Sequence, residues 1–481
     1  MKTGAQFIEE LKQFKPLIYF RGEKIKDIFS HPVLKPVINT AKATYDLALE
    51  PENEERMLTT SPLTGDKCNL LGTLFQTNED LVKSIKLRRW WQNTTGTCNA
   101  GRCAGICAAN AIYNGTYIAD QECGTEYHKR FKEFFLEFHK EDKMCSAGVM
   151  CVKGDRSKGP SGQKDPDLYL RIVKKDNRGI TVRGAKAHQT NGALSHEILV
   201  MPLRPLSEDE KDYAVSFAVK NDTKGLIHVW QYNLHDSRRL LDKDIDLGSK
   251  QYGLEYHGTC LTIFDDVFVP WERVFLCGEY QHVGTYVGKF ADLIRMCGGG
   301  CRPGAVDLAI GVMALLSEYN GIANASQIME KLTNLSQMNE VGFGCAMAAA
   351  YEGKKVESGV CLPNSLYANA SRLNGTITFA EAQKLLADIS GGLIATSPSE
   401  IDFNNSEIGN LLKKYLQGKA DVPTEHRMRA IRFAEMLGSG APLHGLLGGG
   451  GTPETQKMVI RHNLKLEEKK AMVKNLAGIK D

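Results

Sequence analysis

Apolar residues recur every three to four positions over residues 5–14 and 127–140, with charged residues between them, and this helical period governs the first 142 residues. It breaks at Pro32, Pro36 and Pro62, and no strand period persists there. Between about residues 144 and 276 the period falls to two. Residues 169–175, a turn at Asp176-Asn-Arg-Gly179 and residues 180–183 predict a hairpin, with further strands over 214–219, 227–232 and 260–269. Ser207-Glu-Asp-Glu210 has the form of a capping box and predicts one helical turn among them. After Pro270-Trp-Glu-Arg273 the helical period returns and holds to the end, over 303–320, 326–351, 378–389, 425–437 and 453–476. Thr378-Phe-Ala-Glu381 is a second capping box, and Thr452-Pro453 places a capping hydroxyl before a proline suited to the first helical position.

Helices, then strands, then helices predict an α+β chain of three domains: an N-terminal helical domain (1–142), a central β-barrel or sandwich (143–276) and a C-terminal helical bundle (277–481). No internal repeat or low-complexity linker divides them. The 481 residues suffice for a sizeable core. Mean hydropathy is −0.29 and 24% of residues are charged, with no uninterrupted apolar run long enough for a bilayer. The first ten residues lack a signal-peptide pattern, so a cytoplasmic location is expected. Sixty basic against fifty-seven acidic residues give +3, too balanced for nucleic acid or a membrane surface as a main partner.

Charge excludes those partners; cysteine spacing points elsewhere. Five of thirteen cysteines form two tight groups, Cys98-x4-Cys103-x3-Cys107 and Cys297-x3-Cys301, beside glycine and Arg102 or Arg302. Thiolate is the soft donor that iron–sulfur clusters take, and two short groups from separate segments can clamp one at a seam. No CxxC occurs and ferredoxin spacings do not match, so buried core thiols remain an alternative on spacing alone.

Longer stretches carry a resemblance. Gly22-Glu-Lys-Ile25, Lys164-Asp-Pro-Asp-Leu168, Arg183-Gly-Ala-Lys-Ala-His-Gln-Thr190, Asp212-Tyr-Ala-Val-Ser-Phe-Ala218, Phe264-Asp-Asp-Val-Phe-Val-Pro270 and Gly391-Gly392 resemble the 4-hydroxybutyryl-CoA dehydratase family, within the flavin enzymes that include 4-hydroxyphenylacetate 3-monooxygenase. The resemblance spans nearly the whole chain. It implies an acyl-CoA-dehydrogenase-like fold with a flavin-binding central domain, FAD, a homotetramer, and a [4Fe–4S] cluster held by three cysteines and a histidine; the monooxygenase branch lacks the cluster. Cys98, Cys103 and Cys301 fall at the three cysteine positions, with one extra residue between the first two. Ile294 stands where the histidine would be and has no donor atom. Cys297 or Cys107 must then complete the set, and Cys297 is the expected fourth ligand.

The resemblance thins where the chemistry lies. The family's two glutamates correspond to Thr259 and Gly445, its tyrosine to Gly298 and its lysine to Arg302, while Arg89 and Arg295 match and Thr190 takes the place of the threonine facing the flavin. Gly298 and Gly445 predict an enlarged pocket and a bulkier substrate. His257 and His444 are expected to replace the lost acid/base groups, with ordinary loop histidines as the alternative. Gly154, Asp155, Arg156, Gln163, His188 and Thr190 are expected at the flavin, with Gly391 and Gly392 near a neighbouring subunit's flavin. The runs Gly298–Gly300 and Gly448–Gly451 lack a P-loop or Rossmann setting and are expected to allow close backbone approach to flavin, cluster or substrate. The implied activity is dehydration or double-bond isomerisation of a hydroxyacyl- or enoyl-CoA thioester. The rivals are a two-component aromatic hydroxylase without a cluster and a redox relay without catalysis.

Overall fold

The computed structural model describes residues 1–232, 234–241, 258–439 and 443–479. The alternating segment at 179 onward becomes a long strand, Gly179–Thr190, hairpinned to Arg171–Lys175, and Asp176 closes the turn by accepting the Arg178 amide at 2.9 Å. These two are one edge of a six-stranded sheet in the order Glu23–Lys24, Ile18–Phe20, Leu226–Trp230, Thr259–Pro270, Gly179–Thr190, Arg171–Lys175. A four-stranded sheet runs Val274–Cys277, Val215–Lys220, Glu197–Val200, Cys145–Gly148. Val182, Phe264 and Val267 of the first sheet pack on Val200, Phe217 and Val274 of the second, so the core between them is that of a sandwich. Both sheets are open at their edges: the barrel is not closed.

The expected boundary at 142 is crossed in space. Ile18–Phe20 pairs in parallel with Leu226–Trp230, and Leu58–Thr60 pairs with Lys67–Asn69, so the first 142 residues do contribute strands. Both are only three residues long, too short to impose a period on the sequence. The remaining N-terminal elements are helices, among them Asn78–Thr95, Arg102–Cys123 and Tyr127–Lys140.

Two of the C-terminal helices are longer than their sequence signals. Val283–Tyr319 runs unbroken through Gly298–Gly300 and Pro303, where sequence placed a start. Burial explains this: a side chain at 300 would collide with the Ile85 carbonyl and stand 3.0 Å from Arg88 Cβ, and one at 299 would press on Ala346 and Ser371. The glycines let this helix approach Asn78–Thr95, Ser326–Tyr351 and Ser365–Ser390 closely. Their close approach is therefore to protein. The capping-box motif at Thr378 lies inside Ser365–Ser390, whose true cap is Asn364, accepting the Tyr367 amide at 3.3 Å. The 453–476 segment divides into Pro453–His462 and Leu466–Leu476 at left-handed Lys465 (φ 49°).

Candidate active site

The helix Asn78–Thr95 ends on left-handed Gly96 (φ 69°), and the chain then turns through Cys98, Ala100 (φ 55°) and Gly101 (φ 71°) into Arg102–Cys123. At Gly101 a Cβ would stand 2.7 Å from Thr190 Cγ2, so only glycine fits there. Asn191 adds a hydrogen bond from Nδ2 to the Ala100 carbonyl at 2.9 Å. The end of the long strand is thereby fastened to the cysteine loop.

Cys103 and Cys107 lie one turn apart on Arg102–Cys123, and Cys297 and Cys301 one turn apart on Val283–Tyr319. The two helices pack so that Cys107 Sγ is 3.6 Å from Cys297 Sγ. Ser84 Oγ lies 3.8 Å from the same Cys297 sulfur, Cys98 hydrogen-bonds Cys103, and Cys301 donates to the Gly298 carbonyl at 3.7 Å. Cys107 and Cys297 are buried and the other three half-buried. The hydrogen bond from Cys98, aided by Arg88 against the cost of burial, pulls the Cys103 thiol down to about 6 and leaves Cys98 well above its ordinary value. Likewise the bond from Cys107 pulls Cys297 down to about 7, while burial and that same bond push Cys107 up. Among the described residues no three donors stand close enough to hold a single metal ion.

Arg88 reaches this nest from Asn78–Thr95. It is 2% exposed; Nη1 donates to the Ser84 carbonyl at 2.7 Å and to the Ser84 hydroxyl, and Nε and Nη2 have no hydrogen-bond partner. Burial alone would pull its charge down, yet Cys297, Cys103, Cys107 and Cys301 together hold it up. The neighbouring Arg89, the expected site residue, lies elsewhere. Its guanidinium is bidentate to Asp307 at 2.8 and 2.9 Å, reaches Glu340 and covers the Phe343 ring, a clamp between helices.

The other two expected arginines share one task with a third. Arg302 donates to the carbonyls of Leu446 (2.9 Å) and Gly449 (2.7 Å), Arg295 to that of Gly450 (3.0 Å), and Arg372 to those of Leu447 (2.5 Å) and Gly449 (2.7 Å). Together they hold the π-helix Leu443–Gly448 and the glycines after it against the cysteine-bearing helix. Burial, then repulsion from Arg302, pulls the Arg372 guanidinium down. The enlarged pocket expected from Gly298 and Gly445 is not found: a Cβ at 298 would collide with Arg302 Nη1, and the Gly445 carbonyl accepts from Arg302 at 3.3 Å. Arginine occupies that space. His257 and the side chain of His444 lie outside the described residues.

The expected flavin residues divide into two groups. Gly154 (φ 52°) begins a loop stitched by Gln163, which accepts the Asp155 amide at 2.9 Å and donates to its carbonyl at 2.8 Å; Asp155 and Arg156 are exposed. His188 is left-handed (φ 55°), its imidazole held low by burial and Lys153, and Thr190 sits at the strand end opposite Thr259. Gly391 and Gly392 form an exposed helix end with open space around them.

A cleft of about 350 Å³ opens on the Val283–Tyr319 helix, lined by Thr285, Lys289, Asp292, Arg295 and Ser365 among others. Burial pushes the Asp292 carboxyl up, although Ser365 donates to it at 2.7 Å. Arg88, Arg372 and Asp292 had no motif to mark them; their one signal was a charge on a helix's buried face.

The chain matches known proteins along its length. Residues 3–276 and 283–478 match the family models described as 4-hydroxyphenylacetate 3-hydroxylase N terminal and C terminal. It is 39% identical, over all of both chains, to 4-hydroxybutyryl-CoA dehydratase/vinylacetyl-CoA-Delta-isomerase of Clostridium aminobutyricum. It is 27% identical, over 90% of this chain and 87% of the other, to the oxygenase component of 4-hydroxyphenylacetate 3-monooxygenase of Thermus thermophilus. Its structure superposes on the oxygen-tolerant archaeal 4-hydroxybutyryl-CoA dehydratase of N. maritimus with a TM-score of 0.96, at 38% identity, covering 100% of this chain and 95% of that one. On a 4-hydroxyphenylacetate 3-monooxygenase oxygenase component complexed with FAD the TM-score is 0.85 at 24% identity, covering 99% and 98%, which speaks to fold. The chain therefore belongs to the 4-hydroxyphenylacetate 3-hydroxylase family and, within it, to the branch of 4-hydroxybutyryl-CoA dehydratase/vinylacetyl-CoA isomerase.

Proposed function

We propose that the protein is an FAD- and [4Fe–4S]-dependent dehydratase/isomerase acting on a hydroxyacyl- or enoyl-CoA thioester. The observation that carries this reading is the convergence of five cysteines from two distant segments on one seam, in a chain that aligns end to end with such a dehydratase. Soft thiols surrounding a buried guanidinium fit an anionic iron–sulfur group in donor type and in charge. Cys98, Cys103, Cys297 and Cys301 would hold it, and Cys107 would donate a hydrogen bond to the Cys297 sulfur. A four-iron cluster places each thiolate on a different iron, so the sulfurs need not crowd one ion.

Gly154, Asp155, Arg156, Gln163, His188 and Thr190 would hold FAD, and Gly391 and Gly392 would meet the flavin of a neighbouring copy. When bound, the flavin would supply one-electron exchange with substrate, and the all-thiolate iron–sulfur group would supply electron-transfer capacity beside it. The chain's own part is positional. Thr190 against Gly101 keeps the flavin strand and the cysteine loop in register, and Arg295, Arg302 and Arg372 hold the 443–451 wall that keeps water from the seam. His257 and His444 remain the proposed proton carriers. The order of helices, sandwich and helices supports the acyl-CoA-dehydrogenase-like description, and exposed Met458, Leu466, Met472 and Leu476 support burial against further copies in a homotetramer.

Anaerobic purification with iron, acid-labile sulfide and flavin measured per chain tests the reading, followed by assay on 4-hydroxybutyryl-CoA and enoyl-CoA thioesters. About four iron, four sulfide and one FAD are expected. Flavin without iron after reconstitution would sink it and favour the hydroxylase reading, which the family models and the Thermus relative keep in view.

A further inference from the structure

Among the described residues other inward-facing cations have an anionic or oxygen partner: Arg89 has Asp307 and Glu340, Arg102 has Asp142 at 3.8 Å and the Thr44 hydroxyl, Arg295 and Arg372 have hydroxyl, amide and carbonyl oxygens, and Lys186 has the carbonyls of Val149 and Met201. Arg88 differs. Among the described residues no carboxylate pairs with it, it is 2% exposed, and its Nε and Nη2 have no hydrogen-bond partner. A charge taken out of water with unsatisfied donors is costly unless an opposite charge stands beside it. The groups beside it are thiols: its charge acts on Cys297, Cys103, Cys107 and Cys301. Its place is fixed from two sides. Ser84, which also lies 3.8 Å from Cys297 Sγ, takes Nη1, and Gly300, between Cys297 and Cys301, leaves room for its stem, since a Cβ there would stand 3.0 Å from Arg88 Cβ.

We propose that Arg88 is the counter-cation and hydrogen-bond donor of the cluster, a positioning residue whose two unpartnered nitrogens, Nε and Nη2, serve the sulfurs and whose charge raises the cluster's reduction potential. The inference rests on the cluster reading above. An all-thiolate four-iron centre is anionic and gains one more negative charge on reduction, so a fixed cation favours the reduced form more than the oxidised one. Arg88 then offsets part of the lowering that thiolate brings where a histidine would otherwise ligate.

The test is a redox titration of the holoenzyme followed by electron paramagnetic resonance, on wild type, Arg88→Lys and Arg88→Gln, with iron and sulfide counted in each. Arg88→Gln, which loses the charge, is expected to shift the one-electron reduction equilibrium at least tenfold toward the oxidised cluster, a fall of 59 mV or more. Arg88→Lys keeps the charge with fewer directed donors and should fall by less. A fully loaded Arg88→Gln cluster with wild-type potential would overturn the proposal. Should Arg88→Gln hold no cluster, Arg88→Met, likewise uncharged, decides: a downward shift supports the proposal and a wild-type potential overturns it. A wild-type chain that binds flavin but no iron after reconstitution overturns the cluster reading itself and this inference with it, an outcome distinct from a loaded cluster of unchanged potential.

Discussion

One step along a helix rotates a side chain by about 100°, enough to send Arg88 among the thiols and Arg89 toward Asp307 and Glu340. The same geometry puts Cys297 and Cys301 on one face of their helix and Cys103 and Cys107 on one face of theirs, so the spacing of each pair was readable. That Cys107 meets Cys297 was not, because it depends on how two helices separated by some 190 positions pack. The pairing makes the fourth ligand testable. With Cys297 as ligand and Cys107 as its donor, Cys297→Ala is expected to lose iron or fall to a three-iron form, whereas Cys107→Ala keeps four iron per chain. Iron analysis and electron paramagnetic resonance decide between them, and the reverse pattern would exchange the two roles.

Whole elements carry two further expectations. The Gly298–Gly300 run is a contact between helices, so Gly300→Ala must move the Ile85 carbonyl or the Arg88 stem. Overpacking of this kind costs about 1–3 kcal/mol, to be read as a lower Tm together with a disturbed cluster spectrum. In the six-stranded sheet, His228 is fully buried between strands, with Nε2 donating to the Asn221 carbonyl at 2.9 Å and Nδ1 placed to accept from Thr262 at 3.0 Å. Burial pulls this imidazole from 6.5 down to about 4. Between those values the unfolded chain binds a proton that the folded one does not, so stability is fully present above about pH 6.5 and is lost as pH falls toward 4. The difference amounts to about 3 kcal/mol. His228→Gln is expected to flatten this acid limb in thermal melts from pH 7 to 4; an identical limb in the variant would show that other groups set it.

At the scale of the molecule, the surface left apolar lies in the C-terminal helices, where Leu466, Met472, Val473 and Leu476 are all more than half exposed. A contiguous apolar stripe on a lone chain is costly, and burial between copies removes the cost. Light scattering behind a sizing column is expected to report about four chains, and Leu466→Glu with Leu476→Glu to yield smaller species. A wild-type monomer would count against the homotetramer.

The alternation of helical and two-residue periods, the hairpin around Asp176, the helices Tyr127–Lys140 and Ser326–Tyr351 and the one-turn cysteine spacings were determined by sequence alone, because each depends on neighbours a few residues away. The three-residue strands near the N-terminus, the continuity of Val283–Tyr319 through glycine and proline, and the filling of the space at Gly298 by Arg302 were decided only by tertiary structure. The physical reason is common to all three. A short strand is stabilised by the partner it pairs with, a glycine by what approaches it, and a buried charge by whatever opposite charge the fold brings alongside, and none of these partners is near in sequence.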